Sequence, residues 1–444
     1  MTSGGAGDSA SSARAGRLLI LLLLAAIGIR LLVCFALLPR WEESRGAAHF
    51  PDGYPYLAQS LLSEGTLGFG PWGGASPTTT KGPGFPAWLA MGIAVGGDSP
   101  AWLGFWSGVP TLLLAWFLGR TIARRFGVIP AAVAVVALTS HPVAVVLTAR
   151  VLPDEFYGAL GMGACLACVS ATRATTSRAK LAFAALAAML LGAHMLARST
   201  GVLTLVAIVM TGAFFSKGRS FLTASIVLLA LVPPLLWSVR SSRLEERPVF
   251  VHSLAAYNFW IGEAFDRFGF GWIDKERRRR TMDLLIECGG IEEKDRAGFH
   301  YANLEPRAVA AMETRLQGAA ADLVQNHPLQ YFGRCVRGLY RFWIQSQSRT
   351  RTIQYAVVVL PLLAVAAVGA FNIGRRGSDD TMDMLCLAAI ALHNIAYAMI
   401  LPMGRFGVEV YPHVAWFAAG GVLALTSGTS KNATDRDSHL DPKI

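Results

Sequence analysis

The stretch "ARVLPDEFYGAL", residues 149–160, places two adjacent carboxylates, Asp154 and Glu155, between apolar segments. Each of these segments is long enough to cross a lipid bilayer. An unpaired charge inside a membrane is costly, and a charged residue there usually marks a functional position. The stretch therefore indicates a membrane-spanning fold in which these two acids have binding partners.

The composition is that of a polytopic membrane protein. Of the 444 residues, 53% are hydrophobic and only 16% are charged. A helix satisfies its own backbone polar groups in lipid, so apolar runs of about 18 or more residues indicate transmembrane helices. We predict an all-α polytopic membrane protein with about ten such helices by this length rule. The predicted spans are residues 17–38, 101–119, 128–147, 155–171, 181–197, 200–215, 220–239, 353–374, 383–401 and 410–427.

The basic residues predict the topology. Because basic residues near spans are kept in the cytoplasm, the loops that carry them and both chain ends are predicted to be cytoplasmic. The net charge of +11 then reflects topology, so nucleic acid is not an expected partner. The basic clusters are Arg14 and Arg17; Arg120, Arg124 and Arg125; Arg173, Arg178 and Lys180; Lys217 and Arg219; Arg375 and Arg376. The loops predicted to be external are 39–100, 148–154, 240–352 and 402–409.

The apolar segment 84–97 does not fit as a full span because it is too short. If it crossed the membrane, the basic residues at 120–125 would become external. We therefore predict a juxtamembrane or re-entrant helix here.

The predicted domains follow from these spans. Two tails, rich in small or polar residues, are predicted to be disordered and cytoplasmic. The divisions are the tail 1–16, a transmembrane module 17–239, an external domain 240–352, the C-terminal spans 353–427 and the tail 428–444.

Within the external domain, "RPVFVHS" at 247–253 has the alternation of a short strand. Residues 274–326 are mostly helical in pattern. Cys288 and Cys335 are the cysteines of this domain, and a disulfide between them is left open.

Acids and bases are predicted to meet in one layer near the outer membrane surface. Such a cavity would suit a reaction between a lipid-borne anion and a second substrate. Arg30, deep in the first span, is predicted to face a polar cavity rather than lipid. The residues of the layer are Asp52, Lys81, Asp154, Glu155, Arg198 and Arg405.

Simpler explanations exist for each of these residues. Asp52 and Asp154 could cap helices, with Glu155 favoured by the helix dipole. Arg198 and Arg405 could reach out to the membrane interface. Lys81 could be a surface charge.

Several short motifs occur in the order found in a known family. "DGYPYLAQSL" carries Asp52 and Tyr54, "KGPGFPAWL" carries Lys81, and Arg150 precedes the acidic pair. "ARSTG" at Arg198 and "GRFGVEVYPHVAWFAAGG" at Arg405 follow. This order resembles the GT-C membrane glycosyltransferases, in the branch of the lipid A aminoarabinose transferases and the relatives of protein mannosyltransferases.

The resemblance implies a GT-C fold and an inverting transfer, at the outer membrane face, of a sugar from a polyprenyl-phosphate donor. The acceptor would be a glycan, a lipid or a protein. Asp52 is expected to be the base, with Asp154 or Glu155 positioning the acceptor or sharing that role. Lys81, Arg198 and Arg405 are expected to bind the donor phosphate. Tyr54, Arg150 and Arg30 are expected to support the site.

Three alternatives stay open at this stage. No cofactor is expected, but two carboxylates could hold a divalent cation, as the oligosaccharyl branch of GT-C is thought to do. The chain could instead be a transporter or flippase of lipid-linked sugar. It could also be a non-catalytic membrane assembly protein on the same scaffold.

Overall fold

The computed structural model describes residues 5–37, 39–40, 52–70, 74–215, 220–269, 275–296, 299, 301, 304–346, 348–375 and 380–437. Within these residues the chain is helical apart from loops and one antiparallel hairpin, Gly68–Gly70 with Gly74–Pro77. The basic residues Lys217, Arg219 and Arg376 lie outside the described residues.

In the first half of the chain, ten α-helices can be given bounds within the described residues. They are α1 Gly5–Leu32, α2 Tyr54–Glu64, α3 Gly84–Gly96, α4 Pro100–Phe126, α5 Val128–Thr139, α6 Pro142–Ala149, α7 Asp154–Arg173, α8 Ser177–Ala197, α9 Gly201–Phe215 and α10 Ser220–Glu245. A π-helical turn, Val33–Leu37, extends α1.

The second half contains the external segment and the last spans. Its helices are α11 Ala255–Phe268, α12 Lys275–Glu287, α13 Pro306–Asn326, α14 Pro328–Ile344, α15 Arg349–Arg375, α16 Thr381–Ile400, the short α17 Gly404–Gly407 and α18 Tyr411–Asp437. Two 3₁₀ turns lie at Glu293–Asp295 and Val408–Val410.

In the part of the chain that the structure describes, eight helical stretches are long and apolar enough to cross a membrane. Two of the ten predicted spans are not among these stretches: α7, which is buried along most of its length, and α9, which has only 15 residues. The short apolar α3 agrees with the predicted juxtamembrane helix. The eight stretches are Gly16–Leu37, Pro100–Phe126, Val128–Ala149, Ser177–Ala197, Phe221–Glu245, Arg349–Arg375, Thr381–Ile400 and Gly404–Ser427.

Glycines let the last spans pack closely. A Cβ on Gly369 of α15 would fall on the carbonyl oxygen of Phe417 in α18, and one on Gly421 would fall on that of Val365. Small residues are the usual means of such backbone contact between membrane helices. This contact positions α18, which follows α17 after one 3₁₀ turn.

A polar network closes one end of the helix bundle. Arg125 at the end of α4 forms ion pairs with Asp380 and, at 2.6 Å, with Asp383. Arg173 at the end of α7 lies 2.7 Å from Asp380, and the Trp416 indole donates to Asp383. The network links α4, α7, α16 and α18 at the end of the bundle that carries the arginines predicted to be cytoplasmic.

Helix α14 turns its apolar face outward. Leu329, Phe332 and Val336, spaced three and four residues apart on one face, are 85%, 66% and 49% exposed. Arg334, on the other face, is buried in the protein and lies 3.1 Å from Glu263. An outward apolar face that leads into span α15 is typical of a helix lying at the membrane surface.

The external segment differs from the sequence prediction. Residues 247–253 form no strand, because the Val249 and Val251 amides donate to the hydroxyls of Ser242 and Ser238 in α10. Cys288 and Cys335 are both free.

The helices at the chain ends also reach further than predicted. Helix α1 begins at Gly5 and α18 continues to Asp437, so much of both predicted tails is helical. Extending a helix that is already formed avoids the cost of a new nucleus.

Candidate functional site

Five predicted residues come together at the end of the bundle opposite Arg125. Loops and helix ends supply all of them, so none interrupts an apolar span. Asp52 lies two residues before α2, Lys81 lies three residues before α3, Asp154 opens α7, Arg198 forms the turn between α8 and α9, and Arg405 lies in α17.

Arg405 bridges two carboxylates that are distant in sequence. Its Nη2 donates to Asp52 Oδ2 at 3.0 Å, and its Nε lies 3.5 Å from Asp154 Oδ1. The Asp52 side chain is 22% exposed, whereas that of Asp154 is fully buried. One guanidinium therefore holds both predicted acids.

Helix capping does not account for these acids. The N-cap residues of α2 and α7 are Gly53 and Pro153, and neither makes a side-chain cap hydrogen bond. The Asp154 oxygens accept no hydrogen bond from the described residues, although two arginines lie within 4 Å. Both carboxylates are thus directed at cations.

Arg198 is held by two residues that the sequence reasoning missed, Glu409 and Tyr397. The guanidinium forms an ion pair with Glu409, and its Nη1 donates to the Tyr397 hydroxyl at 3.0 Å. Tyr397 in turn donates to Glu409 at 2.9 Å. Arg198 also lies 3.8 Å from Asp154, so it faces the protein and does not extend to lipid.

Glu409 could have been predicted from its position in the sequence. It lies four residues after Arg405, in the same short segment "GRFGVEVYP" before the last span. An acid at such a depth usually has a basic partner.

Lys81 occupies an aromatic cage. Its Nζ lies 5.0 Å from the ring centre of Tyr54 and 5.5 Å from that of Tyr301, which the sequence reasoning also missed. Among the residues that the structure describes, no carboxylate lies within 4 Å of Lys81. Its ammonium hydrogen-bonds to the Tyr301 side chain and has no acid partner there, so an anion can still pair with its charge.

The groups around Asp52 and Lys81 favour the charged form of each side chain. Burial alone would raise the pKa of Asp52, but the charges of Arg405 and then Lys81 outweigh it and lower the pKa to about 2. Burial alone would lower the pKa of Lys81, but Tyr301, Tyr54 and Asp52 raise it above its usual range.

Glu155 and Arg30 form a separate ion pair. Arg30 Nη1 and Nη2 donate to the two Glu155 oxygens, both at 2.8 Å, and the Thr148 hydroxyl donates to the same carboxylate. Arg30 thus faces a polar partner, as predicted. These contacts do not place Glu155 or Arg30 in the cluster that is formed by Asp52, Lys81, Asp154, Arg198 and Arg405. Arg150 is half-buried at the end of α6.

His252 ties the loops of the cluster together. Its Nε2 accepts from the Ser199 amide at 3.3 Å, and the next residue, Ser253, donates its amide to Thr79 at 2.9 Å. The flanking Val251 and Leu254 have φ of 62° and 81°, a strained backbone for such side chains. Strain of this kind concentrates at functional sites.

The carboxylates do not form an evident cation site. In the described part of the chain, no three His, Cys, Asp or Glu side chains are grouped as metal ligands. The two acids that the alternative would use share Arg405, whose positive charge opposes a cation between them.

Comparison with known proteins identifies the fold. No protein-family model and no curated protein sequence matches the chain. The apo oligosaccharyltransferase of Archaeoglobus fulgidus superposes with a TM-score of 0.51 at 14% identity, covering 96% of this chain and 52% of that one. The same protein tethered with an acceptor peptide gives 0.52 at 13%, covering 95% and 51%.

Apo ArnT from Cupriavidus metallidurans is also similar, with a TM-score of 0.41 at 15% identity, covering 96% of this chain and 81% of that chain. The chain spans about half the length of the oligosaccharyltransferase. The protein is therefore a polytopic membrane protein with the GT-C fold, as the resemblance implied.

Proposed function

We propose that this protein is a membrane glycosyltransferase that uses a polyprenyl-phosphate-linked sugar. The observation that carries the proposal is the juxtaposition at one end of the bundle of the Asp52 carboxylate, the Lys81 ammonium in its tyrosine cage and the guanidinium of Arg405, which Asp52 and Asp154 share. A base beside anion-binding groups is what displacement of a lipid phosphate requires. The GT-C fold supports the proposal.

The proposed site faces the outside of the membrane. The opposite end of the bundle carries Arg125 and Arg173, and nearby sequence adds further basic residues. The positive-inside rule assigns that end to the cytoplasm. The cluster around Asp52 then opens toward the external segment, which contributes Tyr301.

The proposed reaction is a single displacement. The acceptor hydroxyl oxygen forms a bond to the anomeric carbon, and its proton passes to Asp52. The bond from that carbon to the phosphate oxygen breaks, and its electron pair leaves with the polyprenyl phosphate. Attack opposite the leaving group inverts the anomeric centre.

The cations stabilise the charge that develops on the departing phosphate. Lys81 is the first expected contact because it has no ion pair in the described structure. Arg405 is the second, since it lies beside the base. Arg198 is expected to stabilise the phosphate mainly through its positive charge and not through a direct contact, because Glu409 and Tyr397 already bind its guanidinium.

A donor-consumption assay tests the proposal. Purified protein in lipid nanodiscs is incubated with a panel of polyprenyl-phosphate monosaccharides and candidate hydroxyl acceptors. Wild type and Glu292→Gln, which changes an exposed acid far along the external segment, should transfer sugar, whereas Asp52→Asn should not.

Equal transfer by Asp52→Asn would reject Asp52 as the base. Absence of transfer by wild type, with movement of intact labelled donor across proteoliposome membranes, would replace the proposal with transport.

A further inference from the structure

The site is electrically balanced before any substrate binds. The carboxylates of Asp52, Asp154 and Glu409 each have an arginine within 4 Å, so a phosphate that binds an arginine here must change an existing pair. The facing charges are the acids Asp52, Asp154 and Glu409 and the cations Lys81, Arg198 and Arg405.

Arg405 is the cation at which this exchange is expected. A guanidinium binds phosphate best through two of its N–H groups, in a bidentate arrangement. In this structure Asp52 lies against Nη2 and Asp154 against Nε. A phosphate that engages Arg405 in this way must displace at least one of these acids.

Asp52 is the acid that can leave. Asp154 is fully buried in the first turn of α7 and would keep Arg198 at 3.8 Å. Asp52 is 22% exposed and lies outside α2. Its only hydrogen bond from a cation in the described structure is the one from Arg405.

We propose that the Asp52–Arg405 ion pair is a latch, which the phosphate of the lipid donor opens by taking Arg405, and that the released Asp52 becomes the base. This inference rests on the proposed function, and it adds a coupling between donor binding and base activation. The donor would then bind before the acceptor is activated.

The electrostatics explain why release matters. While Arg405 holds it, Asp52 has a pKa of about 2 and is a weak proton acceptor. The other groups that act on Asp52 are the cations Lys81, which would turn to the phosphate, and Arg198, together with the phenol of Tyr301. Without Arg405, burial and the new phosphate charge both raise the pKa of Asp52. Its carboxylate then becomes a stronger proton acceptor, and a growing fraction of it takes up a proton as the pH falls.

Calorimetry with an unreactive ligand tests the latch separately from turnover. The probe is polyprenyl methyl phosphate, a diester whose single negative charge does not change near neutral pH. Binding is measured in buffers of different ionisation enthalpy, between pH 7 and pH 5. Wild type should take up protons on binding, increasingly as the pH falls.

Asp52→Asn should bind the diester more tightly than wild type, by roughly tenfold, about the size of one charge-assisted hydrogen bond that no longer competes. It should also lose the proton uptake. Asp52→Ser, a smaller neutral variant, should behave in the same way. Glu64→Gln removes an exposed acid at the end of α2 and should behave as wild type.

Unchanged or weaker binding by both Asp52 variants, or proton uptake that persists in them, would overturn the latch. Absence of diester binding by every form would overturn the latch and the donor class together. If the binding results hold while the donor assay shows no transfer, the latch stands for a lipid-phosphate site and the transferase proposal fails.

Discussion

Asp154 and Glu155 are neighbours in the chain, but their carboxylates lie in different buried networks. Asp154 lies between Arg405 and Arg198, at 3.5 and 3.8 Å, whereas Glu155 is held by both terminal nitrogens of Arg30. Successive residues of a helix point about 100° apart, so adjacent acids at its start reach different partners. The two adjacent acids thus link the site around Arg405 to Arg30 in the first span.

Glu155 is expected to contribute to stability more than to chemistry. Glu155→Gln leaves Arg30 buried without its charge partner, which should cost about 3–5 kcal/mol of unfolding free energy. The double variant Arg30→Met with Glu155→Leu removes both charges and should recover most of that loss. Thermal denaturation in detergent measures both effects.

Sugar transfer by the double variant separates the two roles. Transfer near the wild-type rate would agree with a structural pair. Full stability of the double variant with no sugar transfer would instead indicate that Glu155 takes part in the reaction.

Glu409 is expected to position Arg198. Glu409→Gln should lower turnover at saturating donor by about a hundredfold, the size of effect that a shift of about 1 Å in an active-site group can cause. Tyr397→Phe keeps the ring that stacks on Phe342 and Phe406, and it should lose less.

Steady-state kinetics with varied donor measure the turnover number and KM separately. A change in donor KM alone, with normal turnover, would argue that Glu409 acts only on binding.

His252 should make stability depend on pH. Burial lowers the pKa of His252 from 6.5 to about 4, despite the opposing hydrogen bond to Ser253. The folded state therefore favours the neutral ring. Its contribution is complete above about pH 6.5 and is lost as the pH falls through about 4.

Unfolding temperatures of wild type and His252→Gln, measured from pH 7 to pH 4, check this dependence. The wild-type value should fall more steeply, because glutamine does not titrate. Parallel curves would show that His252 does not contribute to the pH dependence.

Gly369 should be intolerant of a side chain. In Gly369→Ala the new methyl group would meet the Phe417 carbonyl of α18, so α15 and α18 must separate. We expect a loss of about 1–3 kcal/mol from such overpacking.

Gly374→Ala is the matched control, since a Cβ there meets nothing within 4 Å in the described structure. It should be neutral or slightly stabilising, because alanine favours a helix. Equal unfolding temperatures for the two variants would contradict the close contact.

The sequence predicted the charged residues of the site but not their partners that lie far away along the chain. Asp52, Lys81, Asp154, Arg198 and Arg405 were predicted from position alone, because each is a charge at the edge of an apolar run. Tyr301 was missed because its ring reaches Lys81 from a segment more than two hundred residues later. No local pattern encodes such a contact.

The sequence by itself determined the membrane class, most of the spans and the layer in which charges would gather. These follow from the cost of exposing backbone and charge to lipid, which acts on each segment separately. Only the tertiary structure decided the pairing: Asp52 and Asp154 with Arg405, Glu409 with Arg198, and Glu155 with Arg30. Pairing depends on helix rotation and packing, because a few ångströms decide which buried charges interact.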